Sequence, residues 1–251
     1  MFTTHTIHTK PKNSLQKLWR YLTLERLCQI IEEGSIYFSH ITQMSDKWEG
    51  LLTKRTKEKL FNAEYNKYIS DPYKYDKLKA AEAANGAIKQ YEDWKNDYYI
   101  NCWHMNDAES YLMWKVYGDK GCVIQSTYER VASSFGSEPP KIEGCVVEYI
   151  DYDKEDFAIG NVYTQIGYKS LPYIDEREYR LIFWKEGLEN QKYIPDEKGI
   201  KIKVDTKMLI NNIYLNPISA PSVNDLERLE RLINEKGLDC EIKNSKILEK
   251  K

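Results

Sequence analysis

Residues 176–180, with the sequence EREYR, combine two carboxylates and a guanidinium directly before the apolar run LIFW. Because successive side chains of a strand point to opposite faces, Glu176, Glu178 and Arg180 would share one face, and Tyr179 would lie on the other. Buried beside apolar neighbours, these charges would form a paired and positioned set. The alternative is a solvated ladder of alternating charges. This segment is the strongest candidate site in the chain.

Two aromatic clusters could bind a ligand. Arg20 lies between Trp19 and Tyr21, and its planar fork suits a phosphate or a carboxylate, although a surface ion pair is the simpler interpretation. Trp114 and Tyr117 are three residues apart, so on a helix they would share a face. They could form a wall that stacks on a planar ring, or an aromatic pair in the core.

Asp46 and Glu49 follow the segment Phe38-Ser39-His40 in a turn-rich stretch. Carboxylates on loops often act at functional sites, but Asp46 could equally cap a following helix with Glu49 in its first turn. Together with the carboxylates at positions 176 and 178, they leave open a Mg²⁺-dependent nuclease. His and Cys lie at no convincing ligand spacing, and our leading interpretation expects no metal.

Composition limits the class of protein. The 251 residues carry a net charge of -2, which argues against a general nucleic-acid-binding surface. No stretch approaches the roughly 20 apolar residues of a membrane helix, and no secretion signal or Walker loop is recognisable. The five cysteines are widely and irregularly spaced, which favours reduced, structural thiols in a cytoplasmic protein. The 20 Tyr and 6 Trp residues are the unusual feature.

The elements that must position these residues mix short strands and helices without regular alternation. Thr23 and Gly34 delimit a predicted helix that joins the strand around Arg20 to the strand SIYFSH. Residues 52–97 are rich in Lys, Ala and Glu and predict a helical insertion, broken near Asp71 and Pro72. We expect a loose leader over residues 1–14. Residues 15–251 would form one α+β domain around a mixed or antiparallel sheet of short strands.

These clusters, in this order, resemble a bacterial family known as domain of unknown function 2971. The resemblance spans roughly residues 15 to 247 and includes an aromatic-Arg pair, an aromatic-Phe-Ser strand, a Met-Trp-x-x-Tyr helix followed by Gly, and a Glu-x-Glu-Tyr-Arg strand. The matching residues here are Trp19-Arg20, Tyr37-Phe38-Ser39, Met113, Trp114, Tyr117, Gly121 and 176–180. The family's Asn-Asp-Pro-Phe-Glu segment becomes Ser45-Asp46-Lys47-Trp48-Glu49, which keeps both acids but loses the Asn and the Pro. The family implies a fold but no activity.

The layout is also similar to that of ADP-ribosyltransferases. This similarity implies that Arg20 holds NAD as a substrate, that Ser39 braces it and that Glu178 acts on its ribose. A fixed carboxylate would stabilise the positive charge that builds on the ribose when the nicotinamide bond breaks. The remaining candidates for contacts with NAD are Tyr21, Trp114, Tyr117, Glu176 and Arg180.

Such an enzyme would be a toxin or a phage-defence effector with a nucleotide or protein target. The alternative is a non-enzymatic module that binds a small ligand or a protein through an aromatic surface, since Tyr and Trp are enriched at interfaces. Neither interpretation involves a membrane.

Overall fold

The computed structural model describes residues 1–70, 76–118, 121–138, 140–219 and 221–248. Its strands are β1 (Phe2–Thr3), β2 (Lys17–Thr23), β3 (Ser35–His40), β4 (Tyr98–Met105), β5 (Gly121–Thr127), β6 (Ile142–Val146), β7 (Glu148–Ile150), β8 (Tyr168–Ser170), β9 (Glu178–Trp184), β10 (Gly199–Lys203), β11 (Asn212–Leu215) and β12 (Glu241–Asn244). Its α-helices are α1 (Leu24–Glu33), α2 (Lys54–Ile69), α3 (Lys77–Asp93), α4 (Tyr111–Tyr117), α5 (Tyr128–Ser133), α6 (Thr206–Leu209) and α7 (Val223–Lys236).

Ten of these strands form one open, mixed sheet. Its main path runs β1-β6-β9-β4-β2-β5-β11-β12, and β3 and β10 branch from β4. Most neighbours are antiparallel, while the β1–β6 and β11–β12 pairs are parallel. The predicted α+β fold with a mixed sheet is therefore confirmed.

The two faces of β9 differ in chemistry, as the alternation of its sequence predicts. Tyr179, Leu181 and Phe183 are fully buried in the main hydrophobic core, to which α1 and α7 also contribute. Glu178 and Arg180 lie on the opposite face and are just as inaccessible. The solvated ladder is thus wrong for these two residues, because Lys169, Glu49 and the carbonyl of Ile166 contact their charged groups on this face of β9.

Local signals set the connection between β2 and β3. The Thr23 hydroxyl accepts a hydrogen bond from the amide of Arg26 at 3.3 Å, which caps the first turn of α1. Gly34 ends α1 in the left-handed conformation with φ of 59°, which glycine adopts without steric cost. This helix returns the chain so that β3 pairs with the same edge of β4 as β2 does, but at the opposite end of β4, while β9 pairs along the other edge.

The N-terminal segment differs from the expected loose leader. Phe2–Thr3 pair in parallel with β6, and the amide of Val146 donates to the carbonyl of Thr9. The Phe2 ring stacks on Phe135 with ring centroids 5.9 Å apart. Sequence could not indicate this pairing, since the segment is polar and its partner strand lies about 140 residues away.

The helical insertion predicted for residues 52–97 is present as α2 and α3, followed by a 3-10 turn over Trp94–Asp97. Only Thr56 of α2 and Ala80 and Ala84 of α3 are buried among the described helix residues. The break predicted near Asp71 and Pro72 lies outside the described residues.

Candidate functional site

A gap in the sheet provides a place for a site. β4 pairs with β2 only at Leu18↔Met105 and Trp19↔His104, and with β3 only at Ser39↔Ile100 and His40↔Tyr99. β2 and β3 therefore diverge along the middle of β4. Side chains rather than a neighbouring strand fill the opening between them.

A cavity of about 370 Å³ lies at this gap, which is within the range of small-molecule sites. Its wall combines aromatic, cationic and acidic groups from separate parts of the chain. The lining residues are Trp19, Arg20, Tyr21, Arg26, Ser39, Gln43, Met44, Ser45, Ile100, Cys102, Trp103, His104, Met113, Tyr117, Lys169, Glu176 and Glu178. Arg20, Ser39 and Glu178, to which the similarity to ADP-ribosyltransferases assigns roles, all line this cavity.

Arg20 occupies the gap itself. Its Nη1 donates to Oδ1 of Asn101 at 3.0 Å and to the carbonyl oxygen of Cys102 at 2.6 Å, an oxygen with no strand opposite it. Asn101 in turn donates from Nδ2 to the carbonyl of Tyr37 at 2.8 Å, which links β4 to β3. Burial and the neighbouring charge of Arg26 lower the pKa of Arg20 to about 10, so the guanidinium stays charged at neutral pH.

Arg20 has no acidic partner among the residues that the structure describes. Within the described part of the chain, no carboxylate oxygen lies within 4.0 Å of the guanidinium of Arg20 or of Arg26, which lines the same cavity. A mostly buried cation without a counter-ion is costly, and an anion in the cavity would neutralise it. The Arg20 end of the cavity is therefore suited to an anionic group.

The acidic end of the cavity is built around Glu178. Nε of Arg180 donates to Oε1 of Glu178 at 2.6 Å and Nη2 donates to Oε2 at 3.0 Å, while Lys169 Nζ lies 3.3 Å from Oε2. Burial alone would raise the pKa of Glu178, but the charges of Arg180 and Lys169 outweigh it and hold the pKa at about 2. Glu178 is therefore a fixed, ionised carboxylate in the cavity wall.

Lys169 joins three carboxylates. Besides Glu178, its Nζ contacts Oε2 of Glu176 at 2.5 Å and Oε1 of Glu49 at 3.0 Å. Tyr117 closes the network by donating its hydroxyl proton to Oε1 of Glu176 at 2.7 Å. The ammonium of Lys169 occupies the centre that a metal would need between these acids. Accordingly, no group of acidic, His or Cys side chains among the described residues is arranged for a metal ion.

Arg180 and Glu49 lie behind the cavity wall rather than in it. Nη2 of Arg180 is 3.3 Å from Oε2 of Glu49, and Nη1 donates to the carbonyl of Ile166 at 2.7 Å. Burial raises the pKa of Glu49 despite these cations, and the charge of Glu178 adds to the effect. Arg180 thus positions Glu178 and does not reach the cavity, where sequence reasoning had placed it in contact with a ligand.

Glu176 does not belong to the strand, contrary to its expected place beside Glu178. A 3-10 helix over Leu171–Glu176 ends there, and Arg177 adopts a left-handed conformation with φ of 40°. β9 begins only at Glu178, whose amide donates to the hydroxyl oxygen of Tyr149 at 2.8 Å. The strained turn still brings Glu176 into the cavity wall, so both glutamates face the same space by different routes.

The aromatic candidates separate into two groups. Tyr21 and Tyr117 line the cavity, and Tyr117 is 45% exposed. Trp114 is buried behind Tyr21, with ring centroids 5.1 Å apart and edge-to-face geometry, and its Nε1 donates to Oε2 of Glu109 at 2.9 Å. Trp114 therefore supports the wall from the core. Tyr117 is the member of the predicted pair placed to contact a ligand.

Asp46 has a local role that the turn-rich sequence suggested only in part. Its Oδ1 accepts the amide of Trp48 at 3.0 Å and its Oδ2 accepts the amide of Ser170 at 3.0 Å. The side chain thus pins β8, which carries Lys169, against the loop after β3. Asp46 shapes the site without lining the cavity.

Sequence reasoning passed over His104 and Lys169. His104 is 3% exposed, and its Nδ1 lies 2.6 Å from the carbonyl oxygen of Glu176. One available signal was the position of His104 two residues after Cys102 in a strand, which puts both on the cavity face of β4. Lys169 has no comparable signal, because it lies in a short strand within a loop-rich segment.

A second, shallower concavity of about 530 Å³ lies on the other side of the turn at Arg177. Its lining includes Asn106, Asp107, Asp175 and Arg177 but no cluster of interacting buried charges. We regard the smaller cavity as the candidate site because it alone, of the two, collects the buried cations and carboxylates.

Comparison with known proteins adds no identification. The chain matches no protein-family model, and no curated protein is significantly similar to it. Among the described residues, no helix combines the length and the apolar character needed to cross a membrane. The geometry of the cavity is therefore the basis for a functional proposal.

Proposed function

We propose that the chain is an NAD-using enzyme of the ADP-ribosyltransferase type, which cleaves the bond between nicotinamide and ribose. One observation carries this proposal: Arg20, Ser39 and Glu178 come from β2, β3 and β9, and they line the same cavity. The cation, the hydroxyl and the carboxylate, which follow one another along the chain, therefore also lie together in space.

Arg20 is the group that would bind the pyrophosphate. Its Nη1 is fixed by Asn101 and Cys102, which leaves Nε and Nη2 without a hydrogen-bond partner among the described residues. Planar guanidinium forks bind phosphate oxygens strongly when a neighbouring bond orients them. Arg26 adds a second, exposed positive charge at the same end of the cavity.

Glu178 would stabilise the positive charge that develops on the ribose. Its pKa of about 2 keeps it ionised at neutral pH, and Arg180 fixes its orientation. A charge that is already oriented in a water-poor site stabilises a transition state without further reorganisation. The same low pKa excludes Glu178 as a proton donor or acceptor, so its role is electrostatic.

Ser39 and Tyr117 would position the rest of the substrate. Ser39 Oγ makes no hydrogen bond with the described residues and lies on the strand opposite Arg20. The Tyr117 ring lies at the exposed rim of the cavity, where it can stack on a planar base. The five free cysteines are compatible with the reducing cytoplasm in which we place the reaction.

The test is release of free nicotinamide from NAD by the purified chain. We expect Arg20→Gln to raise KM for NAD by about 10- to 100-fold, the value of a charged hydrogen bond, and Ser39→Ala to have a smaller effect. Arg231→Gln is the matched control, since Arg231 is an exposed residue of α7 outside the cavity. No release by the wild type above a protein-free blank, over a range of acceptor proteins, would refute the proposal.

A second candidate function, binding without catalysis, is favoured by the hydrogen bonds that Glu178 already accepts. Both of its oxygens already accept hydrogen bonds from Arg180, and Lys169 is close to one of them. A module that senses a nucleotide through Arg20 would need no free carboxylate. Calorimetric binding of NAD or ADP-ribose that Arg20→Gln weakens, with no nicotinamide released, would decide for this alternative.

A further inference from the structure

His104 is a buried base with a free acceptor atom. Its Nδ1 lies 2.6 Å from the carbonyl oxygen of Glu176, and because a carbonyl can only accept, Nδ1 carries the proton of the neutral ring. Its Nε2 therefore holds a lone pair. That atom is shielded from solvent and has no hydrogen-bond partner among the described residues.

A buried acceptor without a hydrogen-bond donor destabilises the folded protein unless a ligand supplies the donor. His104 is 3% exposed and contributes to the cavity wall that contains Arg20 and Glu178. It also lies directly opposite Glu178 in the pairing of β4 with β9. His104 is thus the cross-strand neighbour of the residue that we assign to the ribose, and both line the same cavity.

The other polar groups of the wall are less suited than His104 to take up a proton. Glu178 is held at a pKa of about 2, and Glu176 already accepts hydrogen bonds from Tyr117 and Lys169. Burial raises the pKa of Tyr21, Tyr117 and Cys102, so these groups keep their own protons.

Burial lowers the pKa of His104 below its ordinary value of 6.5, and Arg177 adds to this effect while Glu176 opposes it. The groups that face the ring are Tyr21 from β2, Glu176 and Arg177 from the turn before β9, and Glu178 from β9. His104 is consequently neutral at pH 7, in the form that can take up a proton.

We propose that His104 Nε2 accepts the proton of the nucleophile that attacks the ribose. This inference rests on the proposed NAD-using function. In the step, the bond between C1′ and the nicotinamide nitrogen breaks, and its electron pair leaves with neutral nicotinamide. An O–H of water or of an acceptor hydroxyl adds to C1′, and its proton moves to Nε2. The products are nicotinamide, the ADP-ribosyl adduct and an imidazolium ion, which later loses the proton to solvent.

The test compares His104→Asn with the wild type in nicotinamide release. The Asn amide nitrogen can replace Nδ1 as donor to Glu176 O, so the variant keeps the structural bond and loses only Nε2. We expect the rate to fall by about 10²- to 10⁴-fold at unchanged KM, with partial rescue by added imidazole. His40→Asn is the matched control, because His40 hydrogen-bonds Thr42 and Asn96 outside the cavity and should keep the full rate.

The pH profile separates catalysis from a structural role. The wild-type rate should fall as the pH drops through the lowered pKa of His104, and this acid limb should be absent in His104→Asn. An unchanged rate and profile in the variant, or a slow variant that keeps the acid limb and ignores imidazole, would overturn the assignment while leaving the NAD function intact. If the wild type itself releases no nicotinamide, the NAD function fails and the assignment fails with it.

Should His104→Asn not fold, the wild type provides the decisive measurement. The ¹³C-labelled imidazole signal of His104, followed by NMR against pH, should change its midpoint when ADP-ribose is added. The signal of His40 should not change. A His104 midpoint that is indifferent to ADP-ribose would overturn the proposal.

Discussion

Glu178 and Arg180 form a buried ion pair on one strand of the sheet. Lys169 and Glu49 extend this pair into a network of four charges. Such buried pairs are not strong stabilisers as a whole, because removing both charges from water is expensive. Loss of one partner is nevertheless severe, since the other charge is left buried and uncompensated. The network therefore fixes the geometry of the cavity wall and makes each of its members sensitive to substitution.

At the residue scale, we expect Glu178→Gln to lower the free energy of unfolding at pH 7 by about 3–5 kcal/mol, because it leaves Arg180 undercompensated. The effect should depend on pH. The pKa of Glu178 falls from an ordinary 4.5 to about 2 on folding, so the ionised form stabilises the folded state fully above about pH 5. That contribution is lost as the pH falls towards 2. The difference between wild type and variant should therefore shrink from pH 7 to pH 3 in urea denaturation.

Glu230→Gln is the matched control for this experiment, since Glu230 is exposed on α7. Its difference from the wild type should be small, as is usual for an exposed side chain. A Glu178→Gln difference that is equally large at pH 7 and pH 3 would contradict the low pKa. It would also remove the argument that Glu178 is a permanently charged group.

Residue types alone pointed to part of this site. The alternation in residues 176–180 predicted charges on one face of a strand, and the aromatic flanks of Arg20 made it a candidate for a ligand-binding cation, with a surface ion pair as the simpler alternative. The strand begins two residues later than expected because Arg177 ends the preceding 3-10 helix in a left-handed conformation, with its amide bonded to the carbonyl of Ile174. Lys169 could not be foreseen, since Glu49 lies far away in sequence and the chain reversal that brings Glu176 and Glu178 back to Lys169 leaves no local pattern.

At the element scale, caps and turns were the most predictable features. Thr23 and Gly34 mark the two ends of α1, and Gly237 ends α7 with φ of 60°. These signals are local, so a single sequence reveals them. The pairing of β1 with β6 and the separation of β2 from β3 along β4 depend on long-range contacts, which leave no local pattern.

Replacing Gly34, at the end of α1, and Gly86, within α3, by alanine should change the free energy of unfolding in opposite directions. Gly34→Ala forces a side chain into the left-handed region and should destabilise the protein by about 1 kcal/mol. Gly86→Ala, in the interior of α3 with open space around it, should stabilise by up to about 1 kcal/mol, because Ala favours the helix. Urea denaturation of both variants measures the two effects. The same sign in both would contradict the assignment of Gly34 as a conformational cap.

At the scale of the whole molecule, burial is divided unevenly between the sheet and the pair formed by α2 and α3. All residues of β9 except Trp184 are buried, whereas the described residues of α2 and α3 include only three buried ones. The pair is attached to the rest of the protein at one end. There, Leu60 and Tyr91 pack against a small hydrophobic cluster that includes Leu52 and Phe157, and the Tyr91 carbonyl accepts a hydrogen bond from Gln165 at 2.6 Å.

This asymmetry predicts a gradient in amide hydrogen exchange. Amides of β4 and β9 should exchange only through global unfolding, with the full urea dependence that it implies. Amides at the distant end of the pair, around Asn66 and Lys79, should exchange faster and with little urea dependence, because only Ala80 and Ala84 are buried among the described residues of this part. Amides near Leu60 and Tyr91 should lie between. If the distant end were as protected as β9, the pair would be part of the cooperative core, and the interpretation of residues 52–97 as an insertion on a self-sufficient sheet would fail.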